Sequence, residues 1–140
     1  MYLKVSGELP TKNYPSDAGW DLRSQQVRTI QPGDRTLIRT GTKVAIPYGS
    51  AGFICPRSGL ALKHGITVLN APGVIDTGYT DEIGVILYNA GDEPFTVQKG
   101  DRIAQLVVVE LLQHSLLSVE DDEISGERGD NGFGSSGVAA

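Results

Sequence analysis

Residues 83–111 read IGVILYNAGDEPFTVQKGDRIAQLVVVEL, a run of apolar segments separated by turn-forming residues. The apolar segments are Ile83–Tyr88, Phe95–Gln98 and Ile103–Leu111, and they are rich in the β-branched and aromatic residues that favour strands. Gly, Asn and Asp cluster between them, as they do where a chain reverses direction. This stretch therefore predicts short antiparallel strands joined by tight turns.

The same pattern extends through most of the chain. Six further strands are predicted at Tyr2–Val5, Val27–Ile30, Thr36–Arg39, Thr42–Ile46, Gly52–Cys55 and Ile66–Leu69. One helix of about two turns is predicted within PRSGLALKHG, residues 56–65, with Gly65 as its C-terminal stop. Leu111–Val119 fits either a strand or a short helix. Many short strands with one helix predict an all-β sandwich or barrel.

Length and charge restrict the class of protein further. The chain has 140 residues, the size of one domain, and 39% of them are hydrophobic. Its formal net charge is -5, which argues against nucleic-acid binding because that function needs a basic surface. Six of the 17 acidic residues lie between residues 120 and 130, and the last 16 residues contain five glycines. We therefore predict a β-domain over residues 1–119, followed by an acidic linker and Gly-rich arm over residues 120–140.

Several other classes are excluded by what the sequence lacks. A single cysteine, Cys55, cannot form an intrachain disulfide, and residues 1–10 do not resemble a signal peptide. The most apolar stretch, residues 103–112, is too short to span a bilayer, so we expect a soluble, cytoplasmic protein without a membrane partner. His64 and His114 lack the neighbours of a zinc site, and no serine lies in a nucleophile elbow.

Two segments in the first half of the chain carry side chains suited to an anionic ligand. In DAGWDL, residues 17–22, Asp21 lies between two apolar residues. It is either a carboxylate of a binding site or a solvated strand residue. In PRSGL, residues 56–60, Arg57 and Ser58 precede a helix whose free N–H groups favour an anion. Alternatively, the Ser58 side chain caps the N-terminus of its own helix.

The segment NAPGVIDTGY, residues 70–79, contains two glycines and a proline and is predicted as a shaped loop or hairpin rather than a regular strand. Asp76 and Tyr79 lie on either side of a turn at Gly78, where a carboxylate and a ring can face one cavity. The alternative is ordinary hairpin chemistry, in which Asp76 bonds to turn amides.

The remaining two segments combine glycines with basic and polar side chains. In GDRIAQL, residues 100–106, Arg102 and Gln105 cannot point the same way from a regular strand, so a bulge would be needed for both to serve one ligand. Otherwise this segment is a turn leading into a core strand. In RGDNGFGSSG, residues 128–137, glycine amides can wrap a phosphate while Phe133 stacks on a base, unless the segment is a disordered tail.

In this order the five segments resemble the five motifs of the trimeric dUTP pyrophosphatase (dUTPase) family. The matching sequences, between residues 17 and 137, are AGWDL, PRSGLALKHGI, NAPGVIDTGYTDEIGVILYN, GDRIAQL and RGDNGFGSSG. The resemblance implies a jelly-roll-like β-barrel that forms a homotrimer with active sites between subunits. It also implies Mg²⁺-assisted hydrolysis of dUTP to dUMP and pyrophosphate, which keeps uracil out of DNA and supplies dUMP for thymidylate synthesis.

For the reaction itself, the resemblance implies that Asp76 orients and deprotonates a water that attacks the α-phosphorus in line. Tyr79 would pack under the deoxyribose and leave no room for a ribose 2′-hydroxyl. Asn70 and the hairpin backbone around Gly73 would read uracil. Asp21 would act in the outer coordination shell of Mg²⁺, through water.

For the phosphate chain, the resemblance implies contacts from the body of one subunit and from the arm of another. The body residues are Arg57, Ser58, Gly59 and Gln105. The arm would close over a neighbouring subunit's site, with Arg128 on the γ-phosphate and Phe133 over uracil. Gly134 and Ser135 would complete the substrate contacts of this lid.

Two other functions use the same fold. A dCTP deaminase of this superfamily needs a catalytic Glu on the strand after the hairpin, and Gly84–Tyr88 carries no acid. A binding or regulatory protein that kept only the fold would be expected to lose Asp76, Arg128 or Phe133, and all three are present. A regulatory protein partner in addition to catalysis stays open, and Thr80-Asp81 stands where the family usually has Arg-Gly.

Overall fold

Eleven β-strands, one α-helix and one 3-10 turn make up the computed structural model, which describes all 140 residues. In chain order the strands are β1 Lys4–Gly7, β2 Trp20–Arg23, β3 Arg28–Ile30, β4 Arg35–Arg39, β5 Thr42–Ala45, β6 Ser50–Cys55, β7 Ile66–Val68, β8 Gly73–Ile75, β9 Gly84–Asn89, β10 Phe95–Val97 and β11 Arg102–Glu110. The helix α1 spans Ser58–His64, and the 3-10 turn spans Asp121–Glu123. The all-β class predicted from the sequence is confirmed.

Every strand pairing is antiparallel, and the pairings form four sheets. The largest sheet has the order β2-β11-β6-β8, a second has the order β4-β9-β7, and β1-β5 and β3-β10 are two-stranded. Within the largest sheet, Gln105 of β11 is in register with Asp21 of β2 and with Cys55 of β6. This register brings together side chains from three strands that are distant in the sequence.

The hydrophobic core is a single cluster of 15 buried apolar residues. Strand β9 shows how the period of two builds this core, because the buried residues Val85 and Leu87 alternate with the more exposed Gly84 and Ile86. Burying one aliphatic side chain of this size stabilises the fold by about 1.5–3 kcal/mol relative to leaving it exposed. The core fixes the strands whose ends carry the polar residues described below.

All nine predicted strands overlap observed strands, but β2 and β8 were missing from the prediction. Strand β8 lies within residues 70–79, where a loop or hairpin rather than a regular strand was expected, so that prediction is wrong for Gly73–Ile75. Gly73 pairs with Ile54 of β6, and a Cβ at Gly73 would lie 3.3 Å from the Ile54 Cβ. Glycine weakens the strand signal here, yet it permits this close approach.

The predicted helix is confirmed, and it begins at Ser58. Gly65 ends it at a φ of 67°, with its N–H donating to the Ala61 carbonyl at 3.0 Å. By contrast, Leu111–Val119 is neither strand nor helix, so both predicted alternatives are wrong. The ladder stops because Glu110 already pairs with the first residue of β6.

The C-terminal residues are set apart from the rest of the chain. Residues 112–140 form hydrogen bonds only with one another, and all except Gly132 are exposed. The division into a domain over residues 1–119 and an arm over residues 120–140 stays a prediction. None of the chain's helices has the length and apolar character needed to cross a membrane.

Candidate active site

A polar cleft of about 260 Å³ lies where β2 and β11 meet the start of α1. Its nine lining residues are Asn13, Asp17, Ala18, Gly19, Asp21, Arg57, Ser58, Gly59 and Gln105. Five of the residues predicted from the sequence are among these nine. Only one lining residue is hydrophobic, so the cleft suits a polar or charged ligand.

The carboxylate of Asp21 lies between two arginines. Its Oδ1 is 3.2 Å from Arg57 Nε, and its Oδ2 is 3.6 Å from Arg102 Nη1. The Nη1 of Arg57 also donates to the Arg102 carbonyl at 3.2 Å. The Asp21 side chain is only 15% exposed, so the alternative of a solvated strand residue is not found. These contacts hold the Arg57 guanidinium in a defined orientation at the cleft.

A β-bulge in β11 places Arg102 and Gln105 of the fourth segment on the face of the sheet that carries Asp21. The register of β11 against β2 shifts between Arg102 and Ala104, where β11 has one extra residue. The extra residue reverses which side chains of β11 point to a given face of the sheet. Arg102 therefore contacts Asp21, while Gln105 lies opposite Asp21 in register. The Nε2 of Gln105 donates to the Pro56 carbonyl at 2.9 Å, which fixes the amide beside the cleft. The bulge that a shared ligand would require is present.

The start of α1 contributes the other wall of the cleft. Arg57 is the extended N-cap residue, and Ser58 and Gly59 begin the helix. No side chain caps this end, so the alternative in which Ser58 caps its own helix is not found. A Cβ at Gly59 would meet no atom within 4 Å, so the backbone there faces open space. The Ser58 hydroxyl and the first N–H groups of the helix are available to an anion.

The loop before β2 adds two residues to which the sequence motifs assign no role. Asn13 and Asp17 line the cleft, and Asp17 closes a tight turn by accepting from the Tyr14 N–H at 3.0 Å. A Cβ at Gly19 would overlap the Gln105 amide, so a larger residue there would displace the Gln105 side chain from its place beside the cleft. No motif or spacing in this loop signals these contacts, since they depend on the fold of the loop over β2.

A second group of predicted residues lies on the turn after β8. The Tyr79 N–H donates to the Asp76 carbonyl at 3.2 Å, with Gly78 at a φ of 88° between them. The Thr77 hydroxyl donates to the Ile46 carbonyl at 2.9 Å and fastens the turn to the sheet. The carboxylate of Asp76 is exposed and forms no hydrogen bond or ion pair, so the alternative of bonds to turn amides is not found.

This turn and the polar cleft lie at opposite ends of β6. Gly73 pairs with Ile54 and Ile75 with Gly52, so Asp76 follows the end of β8 that is distant from Arg57. About six extended residues separate the two positions, roughly 20 Å at a rise of about 3.3 Å per residue. Asn70, Gly73, Asp76 and Tyr79 do not line the cleft. The structure therefore does not bring the two groups together within one chain.

The predicted residues of the arm contact neither group. The Arg128 Nε donates to the Asn131 carbonyl at 2.6 Å, and the Ser135 N–H donates to the Gly132 carbonyl at 3.1 Å. The Phe133 ring is fully exposed, and its backbone has a φ of 46°. Gly134 also adopts a positive φ, of 86°. The arm thus presents its arginine and its ring to solvent in a chain of local turns.

The side chains that could contact a metal ion at the cleft fall short of what a metal site made by the protein alone requires. No three His, Cys, Asp or Glu side chains lie close enough to hold a metal ion by themselves. The two oxygens of Asp21 each face one arginine, and an ionised carboxylate has about four acceptor positions in all. The residues therefore do not fit an ion held by protein ligands alone, whereas Asp21 keeps acceptor positions that a water molecule can use.

A family comparison covers nearly the whole chain. The model of the dUTPase family matches residues 6–137. Two relatives named deoxyuridine 5'-triphosphate nucleotidohydrolase come from Anaeromyxobacter sp. (strain Fw109-5) and Clostridium novyi (strain NT). The first is 49% identical over 93% of this chain and 88% of the relative, and the second is 50% identical over 93% and 91%.

Solved structures agree with the sequence relatives. A mutant dUTPase of Staphylococcus bacteriophage 80alpha, solved with dUpNHpp, superposes with a TM-score of 0.90 and 30% identity over 98% of this chain and 99% of that one. A mutant of the phage phi11 dUTPase, described with a structural Mg(II) ion, has a TM-score of 0.81 and 25% identity over 89% and 100%. The chain therefore belongs to the dUTPase family.

Proposed function

We propose that this chain hydrolyses dUTP to dUMP and pyrophosphate, and that Asp76 is the general base. The observation that carries the proposal is the unpaired carboxylate of Asp76, held on a fastened turn beside Tyr79 in a chain of this family. The carboxylate of Asp76 is exposed and has no other hydrogen-bond partner, so it is free to accept a proton from water. The product dUMP serves thymidylate synthesis, and the loss of dUTP keeps uracil out of DNA.

The reaction is an in-line displacement at the α-phosphorus. The oxygen of a water bonded to Asp76 attacks the phosphorus as its proton passes to the carboxylate. The bond from the α-phosphorus to the oxygen that bridges to the β-phosphorus breaks, and pyrophosphate leaves with that electron pair. No covalent intermediate with the protein forms, so the role of the chain is to position and to stabilise charge.

The cleft supplies donors for the phosphate chain. Arg57, Ser58, Gly59 and Gln105 offer a guanidinium, a hydroxyl, backbone N–H groups and an amide on one surface. Asp21 keeps Arg57 in place, since their contact is 3.2 Å and partly shielded from water. One preorganised donor of this kind is typically worth roughly 3 kcal/mol at the transition state.

The turn and the hairpin before it supply selectivity for the nucleoside. Asn70 and the backbone at Gly73 would bond the edge of uracil, where O4 is an acceptor and N3 a donor, and cytosine inverts both. The ring of Tyr79 would pack under the deoxyribose and exclude a 2′-hydroxyl. In the arm, Phe133 would stack over the base, while Arg128 clamps the γ-phosphate and Gly134 and Ser135 close the lid.

The separation of the two groups supports a homotrimer whose sites are shared. The base must reach the α-phosphorus, which is covalently joined to the phosphates that the cleft binds. Asp76 and Arg57 of one chain lie near opposite ends of β6, roughly 20 Å apart by the rise of an extended strand, which favours their serving different dUTP molecules. We therefore assign Asp76 to one subunit, the cleft to a second, and the arm over residues 120–140 to closure over a neighbouring subunit's site.

A divalent cation fits this assignment as a companion of the substrate. Mg²⁺, when bound to the phosphate chain, would neutralise charge on its oxygens. Asp21 would accept a hydrogen bond from water in the outer shell of the ion.

The test is pyrophosphate release with Mg²⁺ from dUTP, compared with UTP, dCTP and dTTP. We expect fast release from dUTP alone, and a loss of about 10²–10⁴-fold in Asp76→Asn, which keeps the shape and removes the base. Asp81→Asn is the matched control, because Asp81 lies on the same loop and only accepts from the Glu82 N–H, which an amide oxygen also does. Absence of release from the folded parent would overturn the reaction, and an active Asp76→Asn variant would overturn the base.

A further inference from the structure

We propose that Glu82 is a positioning residue that fixes the ring of Tyr79 and thereby sets the discrimination between deoxyribose and ribose substrates. The inference rests on the proposed function, in which Tyr79 packs under the sugar. Glu82 lies just after the turn and contacts no residue of the polar cleft. Its role follows from what its carboxylate and its carbonyl each hold.

Both oxygens of the Glu82 carboxylate are engaged by the turn between β4 and β5. Oε1 accepts from the Gly41 N–H at 2.6 Å, and Oε2 accepts from Arg39 Nε at 3.1 Å. The Glu82 side chain is 22% exposed, whereas the Arg39 side chain is 64% exposed. The bond to Gly41 is therefore the better shielded of the two, and it is the one that fastens Glu82 to the sheet.

The carbonyl of the same residue holds the phenol of Tyr79. The Tyr79 hydroxyl donates to the Glu82 carbonyl at 3.0 Å, and this is the only hydrogen bond of that side chain. Tyr79 is 42% exposed as a residue, so packing alone does not determine the orientation of its ring. Glu82 thus connects two parts of the molecule. Its side chain bonds to the β4–β5 turn, and its backbone carbonyl bonds to the Tyr79 ring that would face the sugar.

The neighbouring anchors show why Glu82 matters for this turn. On one side, the Thr77 hydroxyl bonds to the Ile46 carbonyl. On the other side, the Ile83 N–H donates to the Thr42 carbonyl at 2.8 Å, and Ile83 is buried. Residues 78–81, between these anchors, form hydrogen bonds only within the turn and to Glu82, and none to a β-strand. Glu82 is the one anchored residue to which the Tyr79 side chain bonds, whereas Asp76 lies beside the separate anchor at Thr77.

Loss of the Glu82 carboxylate should therefore affect the sugar more than the chemical step. A ring that is free to move away no longer excludes a 2′-hydroxyl, so UTP becomes a better substrate. The base keeps its own anchor at Thr77, so kcat for dUTP should change little. A residue needed only for folding would not produce this separation of selectivity from kcat.

The experiment measures kcat and KM for dUTP and UTP in the parent chain and three variants. In Glu82→Ala, we expect the ratio of kcat/KM for dUTP to that for UTP to fall about tenfold, with kcat for dUTP within about threefold of the parent. Glu82→Gln keeps an acceptor for Gly41, so it should restore the ratio to within about twofold. Arg39→Ala removes only the exposed ion pair and should leave the ratio unchanged.

Several outcomes would overturn the inference. An unchanged ratio in Glu82→Ala would do so, as would a fall in kcat for dUTP without a fall in the ratio. If Glu82→Ala fails to fold, Tyr79→Phe decides, because it removes the phenol's bond and leaves Glu82 intact. We expect Tyr79→Phe to lower the ratio, and an unchanged ratio there would overturn the inference. A parent chain with no preference for dUTP over UTP contradicts the proposed function as well. A preference that is unchanged in Glu82→Ala and in Tyr79→Phe contradicts this inference alone.

Discussion

The polar cleft and the C-terminal arm carry the two parts of the proposed phosphate-binding set, and they are built in opposite ways. In the cleft, the strand register, a β-bulge and two ion pairs hold Arg57 and Gln105 in place before any ligand binds. In the arm, Arg128 and Phe133 are held only by local turns. Ordering the arm over a site costs conformational entropy that the cleft has already lost on folding. The cleft can therefore determine where phosphate binds, while the arm can respond to whether it is bound.

The largest effect should come from removing the arm. A chain ending at Val119 loses the proposed clamp on the γ-phosphate and the stacked ring, so kcat/KM for dUTP should fall about 10³-fold or more. Its unfolding midpoint should stay unchanged, because residues 112–140 form no hydrogen bond to the body. Steady-state kinetics and thermal unfolding of the same preparation measure both. A truncated chain that unfolds earlier while keeping its activity would remove the contrast between the two regions.

A smaller effect should come from loosening the cleft. Asp21→Asn removes the charge that orients Arg57 and Arg102, and a displaced donor can lower kcat/KM by about 10²-fold. Stability should fall by less than about 1 kcal/mol, because both ion pairs are partly exposed. Asp17→Asn is the control, since Asp17 lines the same cleft without an ion pair and should cost only a few-fold. Equal losses in the two variants would show that orientation of the arginines is not the source of the effect.

The sequence predicts the parts of the molecule that depend on local pattern. The alternation along Gly84–Asn89 predicts β9, and Gly65 predicts the end of α1. Strand β8 is missed because Gly73, which the close approach to Ile54 requires, also weakens the strand signal. The lack of a strand or helix over Leu111–Val119 is missed because the end of β11 depends on where β6 begins.

The residues of the candidate site also fall into those that local sequence predicts and those that only the fold reveals. The sequence predicts Asp76 and Arg57 as site residues, because each is a charged side chain next to a turn or a helix start within a motif. The contact between Arg102 and Asp21 is not, since it requires a bulge whose position only the register reveals. Asn13 enters the cleft through the fold of a loop over β2, which no local pattern encodes.

The central claim is that one site combines Asp76 of one chain with the cleft of another, and subunit mixing tests it most directly. Asp76→Asn and Arg57→Ala chains, each expected to be inactive alone, are unfolded together in equal amounts, refolded and assayed for pyrophosphate release from dUTP. Random assembly gives about one site in four an intact Asp76 and an intact Arg57 from different chains, so about a quarter of the parent activity should return. If both residues of a site came from a single chain, every site would keep one defect, and no activity above that of the separate variants would appear.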